Sequence, residues 1–151
     1  MMTVDEIFAS VTEVLTDFVR TFDEEYTVAL SGDFMADNIE ECIYYAPMSP
    51  AKSGEAFYQN FVKRFPVCKA FSLFMLSFMH ELGHLETEWD MIDDTDERNA
   101  TKDNETYFAL HNEKIATDWA GEYLTNHVAE MVKFDRELLE ILGDIWASVP
   151  D

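Results

Sequence analysis

An α+β fold, mainly helical with a small sheet of two or three strands at one side, is what this sequence predicts. Three observations carry that expectation. Apolar residues recur at intervals of three and four over long stretches, and two short runs are rich in β-formers. With 5 glycines in 151 residues, the turn chemistry of an all-β chain is missing. The length suits one domain, 1–151, and 48% hydrophobic residues supply its core.

The elements follow in order. Val4, Ile7, Phe8, Val11, Val14, Leu15, Phe18, Val19 and Phe22 keep the helical period, which predicts an amphipathic helix over 4–22. Residues 26–30 read as a strand, Ser31-Gly32-Asp33 as a turn, and 39–45 as a second strand. Pro47 and Pro50 bracket a loop, because neither donates to a ladder. A short helix over 54–63 precedes a longer one over 66–86, with Pro66 in its first turn. Phe71, Leu73, Phe74, Met75, Leu76, Phe78 and Met79 leave that second helix no wide polar face, so protein should wrap it as the central helix. Six acidic residues crowd 89–104, a stretch without apolar period that reads as a solvated loop. Helices over 112–126 and 128–147 complete the chain.

Charge narrows the function classes. Lysine and arginine number 10 against 31 aspartates and glutamates, a net charge of −21 that repels nucleic-acid phosphates and anionic membranes and attracts a basic protein partner. The longest apolar stretch, 67–79, is broken by Lys69 and falls short of the ~20 residues that span a bilayer. Residues 1–6 are acidic where an export leader is basic, and two cysteines make no disulfide framework, so the expected address is cytoplasmic.

The chemistry lies at the end of the central helix, in His80-Glu81-Leu82-Gly83-His84, an H-E-x-x-H motif. Four residues make little more than one turn, so His80 and His84 share a face and can chelate one ion, with Glu81 within reach of a water on it. Paired imidazoles suit Zn2+. At this chain's own His and Glu frequencies, the motif arises by chance about once in a hundred such sequences. A catalytic zinc needs a third protein ligand, and composition alone leaves His111, His127 and many carboxylates open.

His80-Glu81-Leu82-Gly83-His84 followed by Glu113-Lys114-Ile115-Ala116-Thr117-Asp118-Trp119-Ala120 resembles the ImmA/IrrE family of zinc metallopeptidases, which pairs H-E-L-G-H with a downstream helix reading E-x-x-A-x-x-F-A. The resemblance covers a little over half the chain. It implies a reduced zincin-like core with the sheet packed on the motif helix, zinc held by His80, His84 and Glu113, and Glu81 as general base. It also implies a regulatory protein substrate such as a basic repressor, often in phage or mobile elements. Trp119 replaces the family's Phe, Thr117 stands where the family often has Asn or Asp, and residues 123–127 replace its Met-Pro segment. The residues agree with this assignment, since small Ala116 and Ala120 on the Glu113 stripe let two helices approach closely. A glutamate in a helix's first turn is also favoured by the dipole alone.

Weaker candidates are Tyr44, Tyr45, Tyr123 and His111 as donors to a developing oxyanion. His127 lies about four turns beyond Glu113, too far to share its ion. Two readings follow. One is a zinc metalloendopeptidase in which the strand over 39–45 offers its edge to an extended peptide. The other is a non-catalytic acidic module that masks a basic protein and keeps a structural or vestigial zinc site.

Overall fold

The computed structural model describes residues 3–47, 55–88 and 105–148, so the expected acidic loop over 89–104 and Pro50 lie outside the described residues. The chain is α+β and mainly helical, as the periodicities predict. Helix α1 (Val4–Val19) opens on Thr3, whose side chain accepts from the Glu6 N–H, and it has Asp5 and Glu6 at the positive end of its dipole. Its Ile7, Val11, Leu15 and Val19 form one buried stripe. The helix stops at Val19 rather than Phe22, and the chain turns through Arg20.

Strands β1 (Thr27–Leu30), β2 (Met35–Asp37) and β3 (Cys42–Tyr45) make a three-stranded sheet in the order β1-β3-β2. β1 runs parallel to β3 with Thr27 opposite Cys42, and β2 runs antiparallel with Ala36 opposite Ile43. Two of the sequence expectations change here. The second strand begins at Cys42, not Ile39, because the Asp37 carboxylate accepts from the backbone N–H groups of Ile39 and Glu40 and folds them into a turn. Ile39 is left 95% exposed, and Glu41 closes the turn at a φ of 53°. β3 is also the central strand, paired on both sides, so it has no free edge to offer. An edge belongs to β2, which is three residues long and has no alternation to betray it.

Helix α2 (Ala56–Arg64) leads to a 3-10 turn (Pro66–Ala70) and then helix α3 (Leu73–Glu86). The single helix expected over 66–86 is therefore divided. Phe71 and Ser72 are extended, and Ser72 is an N-cap whose Oγ accepts from the Met75 N–H at 3.1 Å. The cap is itself anchored. Asp135 is 3% exposed, and its two oxygens accept from the Ser72 N–H at 2.8 Å and the Ser72 hydroxyl at 2.7 Å. A carboxylate this deep is stabilised by such charge-assisted bonds and by the positive end of α3. It fixes where the helix carrying the motif begins.

Helix α4 (Glu105–Asn126) starts earlier than the expected Asn112, and helix α5 (Val128–Ser148) follows after His127. Glu113 therefore sits about two turns inside α4, beyond the reach of the first-turn dipole, and that explanation for its presence falls away. α3 is central as expected: it packs on α4 along one side and on β2 and β3 along another, while α1 covers β1 and α5. Most of its residues are buried. Phe74 meets the sheet edge-on through Phe34 and Tyr45, at 5.6 and 6.0 Å between ring centres. Tyr26 donates to the Glu86 carboxylate at 2.7 Å and ties the other end of α3 to the start of β1. Cys42 and Cys68 are buried free thiols, and burial pushes the Cys68 pKa up to about 11. Among the described residues no helix is long and apolar enough to cross a membrane.

Candidate metal centre

The two motif histidines project from α3 toward α4, one turn apart, with Nε2 to Nε2 at 3.2 Å. Glu113 of α4 meets both: one carboxylate oxygen lies 2.5 Å from His80 Nε2 and the other 3.2 Å from His84 Nε2. What brings α4 so near is the absence of side chains at the crossing. Ala116 and Ala120 are fully buried, and Gly83 presents bare backbone to Ala116. The small alanines are expected from the sequence. The glycine inside the motif is the tighter contact.

These donors suit a divalent metal ion by their chemistry and spacing, and zinc is one such ion. Two ligands about 2.0–2.1 Å from a shared ion at the tetrahedral angle stand about 3.3 Å apart. The His80–His84 and His84–Glu113 separations, 3.2 Å each, already match that edge. The His80–Glu113 contact is a shorter direct hydrogen bond, and the Glu113 side chain, 56% exposed, has room to open it. Glu81 stands in the same cluster, with ligand atoms of His80, Glu81 and His84 all within 4.8 Å of one another. Glu113 reaches both imidazoles from α4, and Glu81 reaches the same cluster from α3.

Thr117 turns out to hold His80 in place. Its hydroxyl, one turn beyond Glu113 and 3% exposed, lies 3.0 Å from His80 Nδ1. In the tautomer that frees Nε2 for a metal, Nδ1–H donates to Thr117 Oγ1 and fixes the ring. Phe57 packs edge-on against the His80 ring at 5.2 Å, backed by Phe61.

The site's electrostatics divide its two glutamates. Hydrogen bonds from His80 and His84 hold the Glu113 carboxyl well below the usual carboxylate range. Burial raises the pKa of Glu81, the two imidazoles lower it in part, and Glu113 raises it again, leaving it above its ordinary value. For His84, burial alone favours the neutral ring, but the Glu113 hydrogen bond and the charges of Glu113 and Glu81 outweigh it, and the net shift is upward. Protons and metal compete for the same nitrogen, so zinc affinity is expected to fall as pH falls through the His84 pKa, which lies above the usual ~6.5. The expected slope approaches about tenfold per pH unit below the His84 pKa, where that ring must lose its proton to bind the ion. Chelator competition between about pH 5 and pH 8 measures it. A profile flat across that window would contradict the assignment of His84 as a ligand.

Three adjoining cavities meet at Glu113. One, of about 320 Å³, is lined by Met35, Ala36 and Asn38 of β2 and its turn together with Glu81 and His84. A second, of about 210 Å³, lies under Phe34 and Phe57 beside His80 and Glu81. The third, of about 420 Å³, opens toward α2. The cleft therefore crosses the histidines from the sheet edge to α2.

Other candidate residues fall elsewhere. Tyr45 is fully buried and bonds to Thr12 Oγ1 at 2.7 Å and to the Phe8 carbonyl at 3.3 Å, on the α1 side of the sheet. Tyr44 donates to Glu40 at the turn. Tyr123 is stacked between Trp119 and His127. None of these three hydroxyls lines the cleft, and the His111 side chain lies outside the described residues. Asn38 and Asn60 do line it, and neither stood out in the sequence. A signal for Asn60 existed: Phe57, Asn60 and Arg64 keep a three-and-four spacing that puts them on one face of α2.

Comparison with protein-family models, with curated proteins and with solved structures yields no match to this chain.

Proposed function

We propose that the chain is a zinc-dependent metalloendopeptidase of the ImmA/IrrE type, acting on a protein substrate of basic character in the cytoplasm. The observation that carries this reading is the convergence of Glu113, from a separate helix, on the imidazole nitrogens of His80 and His84, with Glu81 in the same cluster and an open cleft beside it. A purely structural zinc would favour a closed set of four protein ligands. The open cavities on both sides of these donors favour a site that admits a substrate.

His80, His84 and Glu113 would hold the ion, and Thr117 would orient His80. Bound zinc would supply a Lewis acid for the scissile carbonyl and lower the pKa of a coordinated water from about 15.7 to about 7. Glu81 takes the proton from the attacking water and passes it to the leaving amine, a double task for which a carboxyl shifted upward by burial is suited. Asn38 brings a neutral amide donor to the same cavity. β2 borders that cavity at the sheet edge, where an extended peptide can add as a further strand and be held by main-chain hydrogen bonds. The net charge of −21 draws a basic substrate from a distance, an effect that salt screens.

The test is metal content. Protein purified without added metal should carry close to one zinc per chain, and Glu113→Ala should lose it, with affinity reduced more than about a hundredfold by removal of one of three ligands. Absence of zinc in the wild type, even after zinc is supplied, would overturn the proposal.

A further inference from the structure

The cavity on the α2 side has a composition unlike the rest of this acidic molecule. Its polar lining is Asn60, Arg64, Lys114 and Thr117 around the ligands His80 and Glu113, with Phe57 as its apolar wall. The whole chain has 10 lysines and arginines, and two of them border this one space. The single carboxylate in the lining, Glu113, is committed to the two imidazoles.

Arg64 is held rather than loose. One of its terminal nitrogens donates to Asp118 of α4, and its guanidinium lies 5.9 Å from the centre of the Phe65 ring. A guanidinium has five N–H donors, and one is used on Asp118, so the planar group keeps donors for a second acceptor. Lys114 adds an ammonium, and Asn60 an amide. Donors thus predominate around a cavity that shares His80 and Glu113 with the metal centre.

Resting on the peptidase reading, we propose that this cavity is the specificity pocket and takes a substrate carboxylate next to the scissile bond, with Arg64 and Lys114 as the residues that select it. Phe57 covers the methylenes of an aspartate or glutamate side chain, and Arg64 and Lys114 meet its oxygens. The same chemistry suits a peptide's terminal carboxylate, which would make the enzyme trim chain ends. A basic substrate is compatible with this pocket. The overall charge acts over a Debye length on the whole partner, whereas the pocket reads one side chain.

The experiment uses a mixed peptide library made by digesting a proteome, incubated with zinc-loaded wild type, Arg64→Gln, Lys114→Gln and the double variant, with cleavage positions read by mass spectrometry. Aspartate and glutamate should be enriched at least about fivefold at one position flanking the cut, and the enrichment should vanish in the double variant. Enrichment at internal residues identifies a side chain as the source, and cuts confined to the last peptide bond identify the terminal carboxylate. As a readout independent of turnover, the best-cleaved peptide and its Asn or Gln analogue are bound to Glu81→Gln protein. The acidic form should bind at least about fivefold more tightly, and Arg64→Gln/Lys114→Gln should erase the difference. Cleavage without acidic preference, or a preference that survives the double variant, overturns the pocket assignment while the peptidase reading stands. No cleavage of any peptide by zinc-loaded protein overturns both.

Discussion

Glu81→Gln is expected to bind zinc as the wild type does and to hydrolyse peptides at least about a hundredfold more slowly, up to about ten-thousandfold, the range in which positioned acid–base groups contribute. The amide matches the carboxylate in size, so packing beside His80 and His84 is kept, and the three proposed ligands His80, His84 and Glu113 are unaltered. What is lost is the ability to accept a proton. The wild-type rate should also decline in acid as Glu81 protonates, at a pH above the usual carboxylate range, because burial and the neighbouring Glu113 raise its pKa. Zinc analysis and peptide turnover on the same preparations check the result. If Glu81→Gln cleaves at the wild-type rate, Glu81 is not the base. If neither protein cleaves and both capture the same basic partner, the acidic-module reading replaces the enzyme.

The residues that could be read in the sequence are those whose geometry is local. His80 and His84 share a face because four residues nearly complete a turn, whatever the rest of the chain does. The stripes Ile7, Val11, Leu15 and Val19 on α1, and the all-round burial of α3, follow from the same periodicity. Composition does not single out Glu113 among many carboxylates; only its resemblance to the E-x-x-A-x-x-F-A pattern does, and the structure places it beside His80 and His84. What tertiary pairing alone decides stayed hidden. β2 exists as a strand because β3 accepts it, and three residues carry no signal of their own. The expected strand start at Ile39 gave way to the stronger turn chemistry of Asp37. The start of α3 was obscured by the apolar run on both sides of Ser72, and its anchor, Asp135, lies 63 residues away. Thr117 could be placed on the correct helix, but only the meeting of α3 and α4 reveals its bond to His80.

Gly83→Ala should force the helix that carries the motif away from α4. In an isolated helix this change is favourable by about 1 kcal/mol, because alanine has the higher helix propensity. Here the added Cβ would stand 2.5 Å from the Ala116 carbonyl oxygen and 3.1 Å from the Ala116 Cα. Those are backbone atoms, so no rotamer change relieves the contact, and α3 and α4 must part by about 1 Å, an overpacking that costs about 1–3 kcal/mol. Gly83 is the residue before His84, and Glu113 lies one turn before Ala116, so the separation opens where the three ligands meet. Metal–ligand distances tolerate only about 0.2 Å, and zinc affinity should fall by more than about tenfold even where the fold survives. Gly143 is the control: an added Cβ there meets nothing within 4 Å, and Gly143→Ala in α5 should gain up to about 1 kcal/mol with zinc binding unchanged. Denaturant unfolding and chelator competition on the two variants separate helix propensity from helix approach. A Gly83→Ala protein that is stabilised like Gly143→Ala and holds zinc like the wild type would mean that Glu113 does not owe its reach to the glycine in the motif.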